Sequence, residues 1–574
     1  MTYTPVVNEQ RFLMQHVVGI DELAAHEAFA AASPDLVDAI LEGAGAFAAG
    51  EFAPLNRTGD TIGAKWTADG VKMPEGFHAA YRAYVEGGWG SLAAEPEHGG
   101  QGLPFALATA VLEDLGTANM AFSLIMMLTP GAVEALTTHG SAEQQEVWLP
   151  KLITGEWNGT MNLTEPQAGS DVGALRTQAT PAGDGSWRVK GTKIFITFGD
   201  HDLTDNIVHL VLARTPDAPP GTRGISLFLV PKFRLDGTVN DVRCVSIEHK
   251  LGIHASPTCV LSFGDQDDCH GWLIGPEHAG MRAMFTMMNN ARLNVGLQGV
   301  SLAERATQAA VAYARERVQS ARAGGASRDP VAIIEHPDVR RMLLRMKALT
   351  MAARALIYYA AGQADRARLG DAAAQARLDL LTPLAKAYGT DVGCEVSSLG
   401  VQVHGGMGFI EETGAAQHFR DARITPIYEG TNGIQAADLV GRKLGLEGGG
   451  VFAALLADIR TEAAAEARLM ALVDAVELVS ARLAGANADD RLAGSYPLLT
   501  MLSVVVGGWL LARQAKAAEA AEAEEGLDPD FRAMKLAAAR FYLDRIVPEA
   551  IGLAEGATAG AEALYAVGVE AFAA

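Results

Sequence analysis

A change in sequence texture near residue 161 is the feature that most constrains how this 574-residue chain can fold. From about residue 161 to residue 280 there are short runs rich in β-branched and aromatic residues, separated by turn sequences such as 181-PAGDGS-186. Regular short runs with turn signals between them are typical of a small antiparallel sheet or barrel. The runs that we predict to be strands are 187–197, 207–214, 225–233 and 259–263.

The sequence on both sides of this region has helical periodicity. Before it, 34-PDLVDAILEGAGAFAAGEF-52 and 105-FALATAVLEDLG-116 place apolar residues at helical spacing around a glycine-rich loop at 87–104. After it come long alanine-rich segments, and the glycines of 444-LGLEGGG-450 mark a boundary. We therefore predict an α+β multidomain fold with an N-terminal helical domain (1–160), a small antiparallel β domain (161–280), a C-terminal helical bundle (281–443) and an extra helical C-terminal domain (444–574).

Composition excludes several classes of function. The chain has 46 basic and 68 acidic residues, and this net charge of −22 disfavours attraction to nucleic acid or anionic lipid. Four scattered cysteines without a CxxC pair are expected to be reduced thiols in the cytoplasm, and we expect no signal peptide. The apolar run 497-PLLTMLSVVVGGWLLA-512 is shorter than the roughly 20 residues of a bilayer span, so we interpret it as a buried helix.

Common catalytic motifs are missing from the sequence. There is no GxGxxG that opens a helix after a strand, no GxxxxGK[ST], no HExxH and no GxSxG. The 14 histidines are dispersed without ligand spacing, so we predict no metal site. If the chain is an enzyme, a carboxylate or a bound cofactor must therefore carry the chemistry.

Two stretches contain groups that suit a flat cofactor. In 161-MNLTEPQAGSDVGALRT-177, Thr164 and Ser170 offer hydroxyls, and small residues let backbone N–H groups approach a ligand. In 193-KIFITFGD-200, Phe195 offers an aromatic surface two residues from the hydroxyl of Thr197. Taken alone, Phe195 is more typical of a strand core than of a cofactor platform.

A lone glutamate, Glu429, stands in 425-TPIYEGTNGIQ-435, a segment without lysine or arginine. A surface turn is one interpretation, since Glu-Gly and Asn-Gly are common turn sequences. A carboxylate kept in dry surroundings to accept a proton is the other. The stretch by itself favours neither.

Five segments, taken together, carry a resemblance to a known family. They are TEPQAGSD, KIFIT, 250-KLGIHASPTC-259, 402-QVHGGMGF-409 and 420-RDARITPIYEGTNGIQ-435. In order and spacing they resemble the acyl-CoA dehydrogenase family over roughly residues 80–440. The resemblance implies the helical–β–helical fold and FAD bound without a Rossmann motif, so the absence of GxGxxG is expected.

The resemblance also implies a reaction. Family members convert an acyl-CoA thioester to a trans-2-enoyl-CoA, and Glu429 matches the base that abstracts the α-proton while flavin N5 takes the β-hydride. A dry, apolar setting would raise the pKa of such a base toward the working pH. The backbone N–H of the glutamate and a flavin ribityl hydroxyl stabilise the charge on the thioester oxygen in this family.

Other family positions carry over residue by residue. Arg317 matches an arginine that reaches the flavin of a neighbouring subunit, and the segment from Gln402 holds the adenosine end across the same interface. The implied cofactor-binding residues are Leu163, Thr164, Gly169, Ser170, Phe195, Ile196, Thr197, Arg317, Gln402, Gly405, Gly406, Thr431 and Gly433. The implied substrate-binding residues are Ser170, Asn289, Arg292 and Gly430, although Arg292 is equally compatible with a buried structural arginine.

The sequence departs from the family pattern at several of these positions. Met161 stands where tyrosine is common, and Phe195 stands where tryptophan is common. Gln167 replaces a glycine, and Pro337 replaces a glutamine that often contacts the flavin. A longer insertion, 318–334, follows Arg317, so the local geometry of that arginine is open.

Features outside the core resemble one subgroup. The opening VNEQRFLMQHVVG, the length and the extra C-terminal domain resemble the long bacterial members, which include 3-methylmercaptopropionyl-CoA dehydrogenases. The expected substrate is therefore 3-methylmercaptopropionyl-CoA or a short- or medium-chain acyl-CoA.

The resemblance implies partners as well. We expect an electron-transfer flavoprotein as the electron acceptor and a homo-oligomer of at least two subunits; an acyl-CoA oxidase, which passes electrons to oxygen, is the alternative. Some relatives with an added C-terminal domain bind nucleic acid. Here the segment from Leu446 to the C-terminus has 10 basic and 19 acidic residues, a net of −9, which disfavours that function.

Overall fold

The computed structural model describes residues 3–520 and 527–574, except for the side chains of residues 289 and 290. The chain divides into two compact units. The first, called here the sheet unit, contains residues 3–7 together with Glu27–Asn294. The second, called the bundle unit, contains Asn8–His26 and Val295–Ala574, so the helical bundle and the extra C-terminal domain fall in one unit.

Helices form most of the chain before the sheet, as the periodicity predicts. Two short helices come first, α1 (Val7–Leu13) and α2 (Ile20–Ala24). Helix α3 starts where the Ser33 side chain accepts a hydrogen bond from the N–H of Leu36, with Pro34 at its first position. The helices of the sheet unit are α3 (Pro34–Phe47), α4 (Asn56–Ile62), α5 (Phe77–Glu86), α6 (Phe105–Ala118), α7 (Met120–His139) and α8 (Ala142–Thr154).

A small hairpin interrupts these helices and was not predicted. Strands β1 (Lys65–Thr67) and β2 (Gly70–Lys72) pair in an antiparallel manner. Strands of three residues are too short to show a period of two in the sequence. A distant residue supports the hairpin, since the N–H of Val71 donates to the carboxylate of Asp200 at 3.0 Å.

The main sheet contains the four predicted strands. The runs at 187–197, 207–214, 225–233 and 259–263 are confirmed as β5, β6, β7 and β9, with shifted ends in some. The strands are β3 (Trp157–Asn162), β4 (Gln178–Pro181), β5 (Trp187–Thr197), β6 (Asn206–Arg214), β7 (Ile225–Pro231), β8 (Val242–Ile247), β9 (Thr258–Phe263) and β10 (His270–Ile274). Four of them, β3, β4, β8 and β10, were not predicted from the sequence.

The sheet is mixed rather than purely antiparallel. The strand order is β10-β7-β6-β4-β5-β9-β8, and β10 also pairs with β5, so part of the sheet closes on itself. Strand β3 runs parallel to β6, with Trp157 opposite Asn206, and β4 meets β6 in parallel at Gln178 and Arg214. Hydrophobic alternation reports the face of a strand but not its direction, so the sequence could not show this.

Long helices form the bundle unit. Helix α9 begins in the sheet unit, and the helices of this region are α9 (Gly280–Glu316), α10 (Pro337–Arg368), α11 (Ala372–His404), α12 (Ala415–Ala422) and α13 (Asn432–Asp438). Helices α9 and α11 touch through their backbones. A Cβ on Gly299 would lie 2.0 Å from the carbonyl oxygen of Gly389, so glycine is required where these two helices cross.

The extra C-terminal domain is helical, as predicted. Its helices are α14 (Gly450–Glu462), α15 (Ala467–Ala484), α16 (Ala488–Ala493), α17 (Ser495–Ala520), α18 (Pro529–Phe541), α19 (Val547–Ile551) and α20 (Ala554–Ala557). Among the described residues, α7 and α17 are long and apolar enough to cross a bilayer, but most of each is buried in the protein. The prediction that 497–512 is a buried helix is therefore confirmed.

Buried charges connect the extra domain with the rest of its unit. The ammonium of Lys535, on α18, donates to Glu9 of α1 at 2.7 Å and to Gln514 of α17 at 2.6 Å. Arg354 of α10 lies 4.0 Å from Glu9 and forms an ion pair with Glu304 of α9 at 2.8 Å. A buried charge is costly unless it is paired, so these contacts favour one arrangement of the helices.

Candidate active site

The residues that the sequence assigns to a flavin and thioester site divide between the two units. The segments from Leu163 to Ser170 and from Phe195 to Thr197 lie in the sheet unit, as do Asn289 and Arg292. The bundle unit contains the remaining ones, which are Arg317, Gln402, Gly405, Gly406, Glu429, Gly430, Thr431 and Gly433.

Within the sheet unit, the two segments assigned to the flavin lie side by side. The N–H of Ile194 donates to the carbonyl oxygen of Thr164 at 2.9 Å. The ammonium of Lys193 donates to the carbonyl oxygen of Leu163 at 3.0 Å. The structure therefore brings TEPQAGSD and KIFIT together, although 28 residues separate Glu165 from Lys193 in the chain.

A buried ion pair anchors this contact, and the sequence did not reveal it. The ammonium of Lys193 lies 2.9 Å from Oε1 of Glu165, and both side chains are almost fully buried. Thr177 donates to the same carboxylate through its hydroxyl, at 2.6 Å, and its N–H, at 3.0 Å. Burial would raise the pKa of Glu165, but the charge of Lys193 and these hydrogen bonds outweigh it and hold the pKa at about 2.

The same anchor closes a short turn. The N–H of Glu165 donates to the carbonyl oxygen of Ala168 at 3.0 Å, and the N–H of Ala168 donates back at 2.9 Å. Gly169 and Ser170, which follow, are exposed. In the described part of the chain no atom lies within 4 Å of a Cβ built on Gly169, so its backbone is open to a ligand.

Phe195 lies at an irregular point of β5. The pairing of β5 with β9 shifts between Lys193 and Ile196, and Phe195 between them has a φ of 60°. Its side chain is 58% exposed, whereas Ile196 is 3% exposed. A bulge of this kind re-aims a side chain, and a left-handed backbone costs roughly 1–3 kcal/mol in a residue other than glycine.

These residues fit a flavin. An aromatic ring that is held outward at an energetic cost offers a flat surface for stacking. The hydroxyls of Thr164 and Thr197, both partly exposed, and the open backbone at Gly169 supply the polar contacts that the edge of such a ring needs. Phe195 is therefore not a core residue of the strand, which was the alternative that the sequence left open.

Glu429, in the bundle unit, also lies on a left-handed backbone. Its φ is 55°, and Gly430 follows with a φ of 84°. The side chain is half-buried. A non-glycine residue in this conformation, next to a glycine, marks a tight turn that the surroundings must stabilise.

Hydrogen bonds that involve side chains of α9 and α13 stabilise the turn. The hydroxyl of Tyr428 donates to Oε1 of Gln298 on α9. The amide of Gln435 on α13 donates to the carbonyl oxygen of Gly430 at 3.3 Å. Burial, and secondly the charge of Glu429, raise the pKa of Tyr428 well above its ordinary value, so the tyrosine stays a neutral donor.

Asn432 forms the most extensive contacts of the turn and is not among the site residues predicted from the sequence. Its side-chain oxygen, Oδ1, accepts from the ammonium of Lys386 at 2.9 Å, and its side-chain nitrogen, Nδ2, donates to Oδ1 of Asp391 at 2.8 Å. Its own N–H donates to the carbonyl oxygen of Pro426 at 3.0 Å. Thr431 caps α13, because its hydroxyl accepts from the N–H of Ile434 at 3.2 Å.

Arg317 follows the end of α9 and is exposed. The insertion that follows it folds back on itself, since Val318 and Ala332 form an antiparallel bridge. The carbonyl oxygen of Arg317 accepts from the N–H of Ile333 at 2.7 Å. The insertion therefore forms a closed loop beside Arg317 and leaves its guanidinium exposed, where it donates to Gln319 at 2.9 Å.

The segment at Gln402 ends α11 with an open backbone. Gln402, Gly405 and Gly406 are exposed, and in the described residues nothing lies within 4 Å of a Cβ built on either glycine. His404 before them is buried and stacks on Tyr313 with ring centroids 4.5 Å apart. The glycines are thus presented outward from a fixed helix end.

The residues assigned to the CoA side lie on the first part of α9. The side chain of Asn289 is outside the described residues. Arg292 is buried, with 7% of its side chain exposed, and Ala291 before it is also buried. Pro337, one of the departures from the family pattern, is the first residue of α10.

Models of protein families match almost the whole chain. The acyl-CoA dehydrogenase N-terminal domain matches residues 36–156, and the middle domain matches residues 160–266. The acyl-CoA dehydrogenase C-terminal domain matches residues 278–444. A further model, described as acetyl-CoA dehydrogenase C-terminal like, matches residues 452–567.

Known proteins are similar over nearly the full length. A 3-methylmercaptopropionyl-CoA dehydrogenase of Ruegeria pomeroyi is 47% identical, over 96% of this chain and 97% of its own. A butyryl-CoA dehydrogenase of Syntrophomonas wolfei is 38% identical over 88% of each chain. An acyl-CoA dehydrogenase of Bacillus anthracis, solved in complex with FAD, has the same fold, with a TM-score of 0.74, 22% identity and coverage of 93% of this chain and 89% of that one.

The domain models, the identity with full-length relatives and the fold all agree, and the residues of the sheet unit fit the flavin that the family uses. This chain belongs to the acyl-CoA dehydrogenase family of FAD-dependent oxidoreductases.

Proposed function

We propose that this chain oxidises an acyl-CoA thioester between its α and β carbons, and that Glu429 is the base that removes the α-proton. The observation that carries the proposal is the geometry of the turn. Glu429 has a φ of 55°, and side chains from α9, α11 and α13 hold the residues around it. A strained backbone that several side chains hold in place is typical of a functional site rather than of an ordinary surface turn.

The α-proton of a thioester is weakly acidic, so the chain must make its removal easier in two ways. The carboxylate of Glu429 is half-buried, and a bound acyl chain would exclude more water from it, which strengthens a carboxylate as a base. A donor must also face the thioester oxygen, where charge develops, and the family resemblance assigns the backbone N–H of Glu429 to this role.

FAD supplies the hydride acceptor when it is bound. Thr164, Ser170, Phe195 and Thr197 would hold its ring, with Leu163, Gly169 and Ile196 lining the same segments. The family resemblance also assigns Thr431 and Gly433 to the flavin. These residues would bind and orient the flavin, and the α-proton of the substrate would be accepted by Glu429.

A second base is absent from the position where some family members carry one. That position is one residue before Arg292, and here it is Ala291, which cannot accept a proton. Arg292 and Asn289 are proposed to contact the CoA part of the substrate, together with Ser170 and Gly430. Glu429 is therefore the only candidate base that the resemblance offers.

The proposed substrate is 3-methylmercaptopropionyl-CoA or a short- to medium-chain acyl-CoA. The 47% identity with a 3-methylmercaptopropionyl-CoA dehydrogenase and the 38% identity with a butyryl-CoA dehydrogenase support this range.

The proposed compartment is the cytoplasm, because the four free cysteines suit a reducing environment. The proposed electron acceptor is an electron-transfer flavoprotein. An acyl-CoA oxidase would instead consume oxygen without a flavoprotein acceptor.

The first prediction concerns the substrate range. In a dehydrogenation screen with a dye acceptor, kcat/KM should be higher for 3-methylmercaptopropionyl-CoA and butyryl-CoA than for palmitoyl-CoA by at least about tenfold, the scale on which pockets discriminate apolar chains. A preference for palmitoyl-CoA would contradict the proposed substrate while leaving the reaction type intact. Oxygen consumption at the same rate without the dye would favour the oxidase.

The second prediction concerns the base. Glu429→Gln is nearly isosteric, so the fold, FAD and acyl-CoA binding should be retained while turnover falls by at least about 10²-fold, the lower end of what a positioned base supplies. Anaerobic reduction of the flavin by substrate measures the loss directly. Glu447→Gln is a matched control, since Glu447 also has a positive φ, of 52°, but lies outside the turn. Near-normal turnover in Glu429→Gln with FAD bound would return Glu429 to the role of a turn residue.

The third prediction concerns the flavin platform. The purified protein should be yellow with stoichiometric FAD, and Phe195→Ala should weaken FAD binding by about tenfold, the value of one aromatic stacking contact. Phe572→Ala, at a residue that is 77% exposed near the C-terminus, provides the control for loss of an exposed ring. Fluorescence titration of the apoprotein with FAD measures both. Equal affinities in the two variants would remove Phe195 from the site.

The fourth prediction concerns assembly. Arg317 and the segment from Gln402 to Gly406 match residues that complete the flavin site of a neighbouring subunit, so the protein should be a dimer or larger by light scattering. Arg317→Gln should lower FAD affinity without dissociating the oligomer, whereas Arg322→Gln, in the exposed insertion, should leave it unchanged. A flavin-loaded, active monomer in solution would rule out this arrangement.

A further inference from the structure

We propose that Tyr496, in the extra C-terminal domain, is a positioning residue for Glu429 and acts on it through Asp391 and Asn432. This inference rests on the proposed role of Glu429 as the base. It gives the extra domain a part in the reaction, although none of the residues assigned to substrate or flavin lies in that domain.

The first step of the connection joins the extra domain to the bundle. Tyr496 lies in the first turn of α17, and its hydroxyl donates to Oδ2 of Asp391 at 2.7 Å. Asp391 lies on α11. A hydrogen bond from a neutral donor to a carboxylate is among the stronger ones, so it fixes the rotation of the Asp391 side chain.

The second step leads from Asp391 to the turn. With Oδ2 occupied by Tyr496, Oδ1 of Asp391 accepts from the amide nitrogen of Asn432 at 2.8 Å. The carbonyl oxygen of the same amide accepts from Lys386 at 2.9 Å. The amide therefore lies between a cation and an anion on the same helix, and only one orientation of it satisfies both.

The third step is the closure of the turn by Asn432 itself. Its N–H donates to the carbonyl oxygen of Pro426 at 3.0 Å, and the residues between the two include Glu429. A shift of Asn432 would therefore change the backbone conformation of Glu429, which lies three residues earlier and has a positive φ. Misplacement of a catalytic group by an ångström or less lowers rates strongly, so the hydroxyl of Tyr496 can affect catalysis without touching the substrate.

A purely structural role for Tyr496 is the competing explanation, and the chain offers a matched control for it. Tyr542, also in the extra domain, forms a hydroxyl–hydroxyl hydrogen bond of 2.6 Å with Tyr388 on α11. Tyr542→Phe removes a tyrosine hydroxyl between the same domain and the same helix. The bond that it breaks does not include Asp391 or Asn432, so any general loosening of the domain should appear in this variant as well.

The experiment compares Tyr496→Phe, Tyr542→Phe and Glu429→Gln with the wild-type holoenzyme. The rate of flavin reduction by saturating butyryl-CoA is measured anaerobically by stopped flow, together with FAD content, KM and the isotope effect of α-deuteration. We expect Tyr496→Phe to lose about tenfold in the reduction rate, with a larger isotope effect and unchanged FAD content and KM. Tyr542→Phe should stay within about twofold of the wild type by the same argument.

A double variant tests the route. In an Asn432→Ala background the Tyr496→Phe change should have no further effect on the reduction rate, because the connection is already broken. The inference is overturned if Tyr496→Phe reduces its flavin at the wild-type rate, if Tyr542→Phe loses as much, or if the two changes add fully in the double variant. A wild-type rate in Glu429→Gln would instead overturn the proposed base, and this inference with it.

Discussion

Among the contacts that hold the turn at Glu429, those of one buried amide, the side chain of Asn432, are the most extensive. Asn432 accepts from Lys386 and donates to Asp391, two oppositely charged residues five positions apart on α11. A positive φ at Glu429 persists only where the surroundings over-determine the backbone. An apolar side chain at position 432 would leave a buried lysine and a carboxylate without this bridge, so the polar contact specifies the turn as well as stabilising it.

Phe195, the residue assigned to stack on the flavin, also has a strained backbone that is stabilised by buried polar contacts, here in the sheet unit. Phe195 is exposed on a backbone with a φ of 60°, and the residue two positions earlier, Lys193, is buried and paired with Glu165. The chain therefore compensates a local strain with buried polar contacts directly beside it. In both places the group assigned to function is reachable by solvent, with Phe195 58% exposed and Glu429 half-buried, while groups that position it, such as Lys193 and Asn432, are buried.

Sequence patterns predicted what depends on local composition and missed what depends on distant partners. The strands rich in β-branched residues, such as 207–214, and the buried helix at 497–512 were predicted correctly. Strand β3 has the sequence WNGTMN, which carries little β propensity, and it forms because β6 offers a buried edge. The motifs assigned to the site could be recognised from the sequence. The roles of Lys386, Asp391 and Tyr496 could not be predicted, since nothing nearby in the chain marks Lys386 and Asp391 as partners of Asn432 or Tyr496 as a partner of Asp391.

The extra C-terminal domain shares its core with the rest of the bundle unit. Lys535 of α18 is 1% exposed, and its charge is tolerable only because Glu9 of α1 and Gln514 accept its hydrogen bonds. Burial lowers the pKa of Lys535 to about 8, and the charge and hydrogen bond of Glu9 act in the opposite direction and favour the ammonium. Loss of α18 would remove from Glu9 the ammonium that lies 2.7 Å away, whereas Arg354 lies 4.0 Å from the same carboxylate. The added helices are therefore part of the framework that holds α9, α10 and α11, on which the turn of Glu429 rests.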